Sequence, residues 1–295
     1  MRFSKFTILT FIILLPLFLS AQKDVDETRR VDKNAKIIIS NVSGSLEVIG
    51  WEKDEVKIEG HLEEDVEELE ISGGENRLRI KVHIPRHGRN RHASAYLTIH
   101  VPRGGRLDVG AVSADIELEG VATSELEISN VSGRIDASAS ADELSLETVS
   151  GRIRFTGNSR DVECSSVSGS IDLKGDLTSV ECGTVSGRIE VEAGKTETGE
   201  FGSTSGSIEF DGDVLGSGKF KFKSVSGSIK IAVPENISAE FDLSSFSGSI
   251  RNRLSHHDVH KNKYGPGSDL QFVTGSGDVR ISASSFSGSV EVRER

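Results

Sequence analysis

Ser-Gly dipeptides recur at regular intervals along this sequence, and the serine hydroxyl of each is a potential nucleophile. A catalytic serine of the hydrolase type stands in a Gly-x-Ser-x-Gly turn, but the nearest string, residues 202–206, has Thr204 at its centre. The pairing instead recurs along the chain, and this many equivalent serines indicate architecture rather than catalysis. The serines are Ser43, Ser132, Ser150, Ser168, Ser186, Ser205, Ser226, Ser247, Ser276 and Ser287.

Two cysteines are the next residues that could do chemistry. Cys164 and Cys182 occupy equivalent positions in successive repeats, and adjacent parallel strands would place their Cα atoms within the range of a disulfide bond. Export would permit oxidation. Bridging in-register parallel neighbours is strained, however, and two stacked buried thiols fit the same pattern, so both interpretations stay open. Two ligands are too few for a metal site.

Three histidines stand close together near the C-terminus. On a helix, His256, His257 and His260 would have the spacing of transition-metal ligands. The neighbouring Asn252 and the Gly-Pro-Gly string at 265–267 are typical of a loop instead. We therefore predict a solvated loop, with no metal and no other cofactor.

Arginines form a cluster with the chemistry of a ligand site. Arg134, Arg152 and Arg188 each follow a repeat serine at the same short distance, so we expect them to share one outward column. Guanidinium groups bind phosphate and carboxylate in a bidentate manner, and the column could contact an anionic envelope ligand such as a phosphate-bearing glycan. The alternative is neutralisation by carboxylates in the neighbouring outward column, which are Asp136, Asp172 and Glu190.

The spacing of the serines identifies the elements that must position all these side chains. From Ser113, in a degenerate Ser-Ala copy, to Ser247, successive copies are roughly 20 residues apart, a period typical of solenoids. Apolar residues alternate with polar ones on both sides of each serine, which predicts strands with one buried face. The apolar column that follows the serines consists of Ile116, Ile135, Ile153, Ile171, Ile189, Ile208, Ile229, Ile250, Val279 and Val290.

Stacking of these units predicts an all-β fold, a β-solenoid of parallel-strand rungs. One repeat is too small to form a core alone, whereas stacked copies pair their strands and align their apolar columns. At each corner, glycine supplies a positive φ or room for close packing, and the serine hydroxyl can bond to a backbone group. The corner residues are Ser132, Gly133, Ser150, Gly151, Ser168, Gly169, Ser186, Gly187, Ser205, Gly206, Ser226, Gly227, Ser247 and Gly248.

Residues 1–21 have the features of a secretory signal peptide. Arg2 and Lys5 precede an apolar run over residues 6–19, and small residues precede a cut near Ala21. The apolar run is too short for a membrane-spanning helix, so no transmembrane segment is expected in the mature chain. We predict an extracytoplasmic location, whether periplasm, cell surface or medium.

Four further segments follow from the repeat pattern. Residues 22–34 are predicted to be a flexible linker, and residues 35–105 a first strand pair with an inserted β-meander cap. The solenoid occupies residues 106–295. Its last part, residues 252–295, is irregular and ends in motifs at Ser276 and Ser287, which are too close together for a full rung and predict a closing cap. Phenylalanines concentrated toward the C-terminus predict an aromatic core there.

Composition excludes some functions. The chain has 46 acidic and 35 basic residues, a formal net charge of -11, which disfavours nucleic acid as a partner. Charged residues are spread along outward columns rather than gathered in a cleft, so we predict no enzymatic activity. We expect a monomer.

Several strings resemble the bacterial putative-adhesin family, a domain of unknown function. They are the segment from Asn41 to Val56, the Val-Pro-Arg-Gly-Gly-Arg-Leu turn at 101–107, the tandem Val-Ser-Gly-Arg-Ile units and the final Phe-Ser-Gly-Ser-Val-Glu-Val. The resemblance covers roughly residues 35–295. It implies an extracytoplasmic, non-enzymatic β-solenoid, and relatives associated with envelope-stress regulation.

Three function classes follow. The first is a structural or binding protein of the cell envelope, adhesin-like, whose partner is an envelope protein or glycan. The second is a ligand-sensing component of an envelope-stress regulatory system. The third, a polysaccharide-active β-helix enzyme, requires acid, base or metal-binding groups that converge in one cleft.

Overall fold

The computed structural model describes residues 23–85, 93–261 and 266–295, and every regular element in these ranges is a β-strand. The predicted signal peptide lies outside the described residues. The strands are β1 (Lys23–Arg30), β2 (Lys36–Trp51), β3 (Glu55–Leu62), β4 (Glu68–Gly74), β5 (Arg77–His83), β6 (Ala95–Pro102), β7 (Arg106–Ser166), β8 (Ser170–Thr184), β9 (Arg188–Thr196), β10 (Thr198–Ser203), β11 (Ser207–Val214), β12 (Lys219–Ser224), β13 (Ile229–Val233), β14 (Ala239–Ser245), β15 (Ile250–Arg253), β16 (His260–Lys261), β17 (Ser268–Thr274), β18 (Val279–Ser285) and β19 (Val290–Glu294).

The all-β solenoid predicted from the repeat is confirmed. Each rung has one strand before the Ser-Gly corner and one after it, and both pair in parallel and in register with the next rung, as Ile153 does with Ile171 and Ile171 with Ile189. We call the two resulting surfaces the pre-corner sheet and the post-corner sheet. Their inward residues are buried between them as one core. Strand β7 is long because its backbone pairing continues through several corners.

Backbone hydrogen bonds run through the corners themselves. The amide of Ser168 donates to the carbonyl of Val149 at 2.9 Å, and the amide of Ser186 donates to that of Val167 at 2.9 Å. A Cβ on Gly169 would collide with the carbonyl oxygen of Gly151 one rung away. Close approach of stacked backbones is therefore what requires glycine at this corner, and φ at Gly169 is not positive.

A buried polar column stands shortly before the corner serines. The Asn130 side chain donates to the carbonyl of Ala114 at 2.7 Å, and the Ser245 hydroxyl donates to that of Gly288 at 2.8 Å. Asn130 and Ser245 thus bind carbonyls where the chain turns, whereas the buried hydroxyl groups of five other members of the column make no hydrogen bond with a described residue. These members are Thr148, Ser166, Thr184, Ser203 and Ser224. The corner serines themselves are mostly exposed, and Ser132 donates only a longer 3.2 Å bond to the carbonyl of Val112.

The N-terminal end differs from the sequence prediction. The segment 22–34 was predicted to be a flexible linker, but β1 lies within it and pairs antiparallel with β3 along its whole length. Its charged side chains are mostly exposed, so backbone hydrogen bonds rather than burial hold it in place. Strands β5 and β6 pair in parallel with β2 and so form a rung without a Ser-Gly corner, while β3 and β4 pair antiparallel with them.

The C-terminal end corrects the prediction of a simple closing cap. Strands β18 and β19 form a complete rung around Ser287, and this rung lies between two earlier ones. Strand β18 pairs with β12 on one side and β14 on the other, and β19 pairs with β13 and β15. The Ser276 motif is a turn before β18, flanked by Gly275 and Gly277 with positive φ. Strand β17 pairs antiparallel with β14, and the short strand β16 pairs antiparallel with β17.

Aromatic packing increases toward this end, as expected. Phe201 stacks on Phe222 with ring centroids 4.9 Å apart, and Phe241 stacks on Phe272 at 4.5 Å inside the core. Two other phenylalanines predicted to be part of this core are not. They are Phe246 and Phe286, which stack on each other at 4.9 Å on the outer surface.

Candidate binding surface

The arginine column lies on the outer face of the post-corner sheet, and each member has a carboxylate beside it. Arg134 pairs with Asp115 at 2.8 Å, Arg152 with Asp172 at 3.7 Å and Arg188 with Glu190 at 3.6 Å. Hydrogen bonds from the Arg134 side chain and amide hold the pKa of Asp115 below its ordinary value. Of the neutralising carboxylates considered in the sequence, Asp172 and Glu190 contact the column, whereas Asp136 pairs with Arg154 instead. Anion binding at the column stays a prediction.

The cysteines are neighbours in the core. Cys164 and Cys182 are paired positions of β7 and β8, and both are buried free thiols. A hydrogen bond with Cys182, followed by burial, raises the pKa of Cys164 well above its ordinary value. Of the two interpretations left open by the sequence, the structure contains the stacked thiols.

The histidines follow β15. His257 stacks on Phe272 with centroids 5.2 Å apart, and its Nδ1 lies 3.1 Å from the Ser255 hydroxyl. His260 begins the short strand β16. In the described part of the chain, no group of three or more His, Cys, Asp or Glu side chains could hold a metal ion.

The feature that sequence reasoning missed is a column of apolar side chains on the outside of the corners. The residue just before each corner serine points into solvent, and the exposed fraction is 48% for Val167 and 57% for Phe286. Because rungs repeat at about 4.8 Å, these side chains form a nearly continuous strip. We call it the apolar ladder, and in spatial order it consists of Val112, Val131, Val149, Val167, Val185, Thr204, Val225, Phe286 and Phe246.

A groove of about 1150 Å³ follows the C-terminal two thirds of the ladder, on the pre-corner sheet. The outward residues of its floor stand shortly before the corner serines and include the small Ser165, Gly183 and Gly202, followed on the next rung by Lys223. A Cβ added to Gly183 or Gly202 would meet no atom within 4 Å, so the floor is open. We call this depression the corner groove. Contiguous exposed apolar surface of this kind is typical of interaction sites.

The signal for the ladder was present in the sequence. An apolar residue, usually Val, precedes most corner serines. It stands directly after the buried polar column, so alternation places it outside. The repeat pattern alone did not show that these residues face solvent, because the residues of the core columns are apolar as well.

These observations define a β-solenoid repeat protein with one open apolar strip along its corners. The chain belongs to the Toastrack DUF4097 family, whose model matches residues 34–293. This confirms the resemblance to the putative-adhesin domain of unknown function.

Solved structures from several bacteria match most of this chain. A putative lipid binding protein from Parabacteroides distasonis is 13% identical with a TM-score of 0.52, covering 92% of this chain and 96% of that one. A putative adhesin from Bacteroides fragilis is 14% identical with a TM-score of 0.34, covering 92% and 98%. A putative cell adhesion protein from Clostridium sporogenes is 10% identical with a TM-score of 0.24, covering 92% and 100%. At 13% identity, the likeness to the Parabacteroides distasonis protein concerns the fold alone. A comparison with curated proteins found no match.

Proposed function

We propose that this chain is an exported, non-enzymatic binding protein of the bacterial envelope that contacts its partner through the apolar ladder. The observation that carries the proposal is the ladder itself, in which valines about half exposed repeat over successive rungs. Exposed apolar strips of this kind mark interaction sites in soluble proteins. The signal-peptide pattern supports export. The described part of the chain contains no helix that could cross a membrane.

The distribution of charge supports binding rather than catalysis. On the post-corner sheet, acidic and basic side chains pair across rungs, as Arg154 does with Asp136 at 3.1 Å and Lys174 with Glu192 at 2.7 Å. Such exposed pairs are solvated and separate from one another. Catalytic acids and bases converge on one reacting atom instead.

Co-sedimentation with isolated bacterial envelopes tests the proposal. The native protein should sediment in a saturable manner, and the triple variant Val149→Ser, Val167→Ser, Val185→Ser should lose most of the bound fraction. Leu215→Ser is the matched control, because Leu215 is 41% exposed but lies away from the corners. Equal sedimentation of native protein and ladder variant would contradict the proposal.

The same assay examines the arginine column. Replacement of Arg134, Arg152 and Arg188 by Ser should lower binding if a phosphate-bearing glycan is held there, because the bidentate contacts would be lost. Unchanged binding would leave the column with its structural ion pairs alone.

A further inference from the structure

We propose that the corner groove seats a cationic amphipathic helix, laid along the solenoid axis between the apolar ladder and a column of glutamates. This inference rests on the proposed binding function and names the chemistry of the partner. The glutamates are Glu163, Glu181 and Glu200, which are in register on successive rungs of the pre-corner sheet. We call them the acidic column.

The acidic column lacks internal neutralisation over most of its length. Glu200 pairs with Lys221 at 2.7 Å, whereas Glu163 and Glu181 form no ion pair with any described residue. Like charges stacked at strand spacing repel each other. On the post-corner sheet each arginine of the column has a carboxylate beside it, whereas Glu163 and Glu181 have no cation of their own and lie near the apolar ladder. A cationic partner would remove their repulsion.

The dimensions of the groove match a helix. Along the chain the ladder residue follows the acidic residue by four positions, as Val167 follows Glu163, which is a path of about 13 Å that the turn after Ser166 shortens. A helix with its side chains is about 10–12 Å wide. Between them lie Ser165, Gly183 and Gly202, whose small side chains leave the seat open.

The periods along the axis also agree. Rungs repeat at about 4.8 Å, and one helical turn advances about 5.4 Å. From Val167 to Phe246, the part of the ladder that lines the groove, the ladder crosses five rung intervals, or about 24 Å, which is the length of a helix of about 16 residues. Apolar side chains on one face of such a helix would meet successive ladder residues, while Lys or Arg side chains on the adjacent face would meet Glu163 and Glu181.

Charge also separates this partner from two others that could cover an apolar strip. A second copy of the chain docked ladder to ladder would bring two acidic columns toward each other. The surface of an anionic membrane would be repelled by the same carboxylates. Both therefore fit the face less well than a cationic segment, and both are outcomes of the test below.

The probe is a fluorescent, amidated Leu/Lys amphipathic helix of about 18 residues, with a Leu/Glu helix of the same pattern as its counterpart. Fluorescence anisotropy at low and high salt should show that the native protein binds the Leu/Lys helix at least about tenfold more tightly than the Leu/Glu helix. Glu163→Gln with Glu181→Gln should weaken binding by about tenfold and reduce its salt dependence. The ladder triple variant should weaken binding and retain the salt dependence.

Two further variants keep the test specific. Gly183→Gln with Gly202→Gln should fill the floor and block the helix without disturbing the fold, because their side chains enter open space. Glu117→Gln with Glu119→Gln is the charge control, since both glutamates are exposed on the post-corner sheet. It should bind like the native protein. Melting temperatures of all variants verify that they fold.

Other outcomes overturn the inference in distinguishable ways. Equal affinity for the two helices, or no effect of Glu163→Gln with Glu181→Gln, removes the cationic helix. If phosphatidylglycerol vesicles or a second copy bind through the ladder, in a manner that these Gln substitutions do not weaken, the proposed function holds and the helix inference fails. If the ladder variant also sediments normally with envelopes, the proposed function itself fails.

Discussion

Cys164 shows how the position of a residue in a rung sets its chemistry. Its thiol lies in the core against Cys182, and the raised pKa of Cys164 keeps that thiol neutral. A neutral buried thiol is unreactive, since the thiolate is the nucleophile. The stabilisation from this raised pKa is complete below the pKa of the unfolded thiol and is lost as pH rises through the folded value.

Thiol counting tests this description. Native protein should react with Ellman's reagent at pH 8 much more slowly than unfolded protein, because the thiols are buried. After unfolding without reductant, we expect two reactive thiols per chain. A count of zero in the unreduced, unfolded protein would demonstrate a Cys164–Cys182 disulfide instead.

The corners are the elements in which backbone packing is tightest, and glycine substitutions probe them. Gly169→Ala should lower the free energy of unfolding by about 2 kcal/mol, because its Cβ has no room beside the Gly151 carbonyl. Gly183→Ala, on the open floor, should change that free energy by no more than about 0.5 kcal/mol. Urea denaturation measures both. Equal stability of the two variants would mean that the corner backbones are not closely stacked.

The repeat predicted the solenoid because a sustained period of two with regularly spaced corners has few other ways to bury its apolar columns. The order of the last rungs could not be predicted. Ile229, Val290 and Ile250 are interchangeable in a core column, so the apolar pattern fits either order. The connection that follows β15 is long enough for the last rung to return between two earlier ones. Strand β1 was missed because its pairing uses backbone groups of a charged segment.

At the scale of the whole molecule, the solenoid has two differently charged flanks. Cross-rung pairs such as Arg134 with Asp115 lie on the post-corner sheet, while Glu163 and Glu181, which form no ion pair with a described residue, line a second depression of the pre-corner sheet. A rigid stack holds this contrast in register over several rungs. The candidate arginine site could be located from the sequence, whereas the groove could not, because it requires knowing where strands turn and which carboxylates lack a partner.

The most direct measurement of the central claim is methyl NMR of selectively labelled valines during titration with the Leu/Lys helix. We expect saturable shift changes for the ladder residues Val149, Val167, Val185 and Val225, and smaller changes for the core methyls of Val162 and Val180. Saturable changes confined to valines outside the ladder, or no saturable change at all, would contradict the claim.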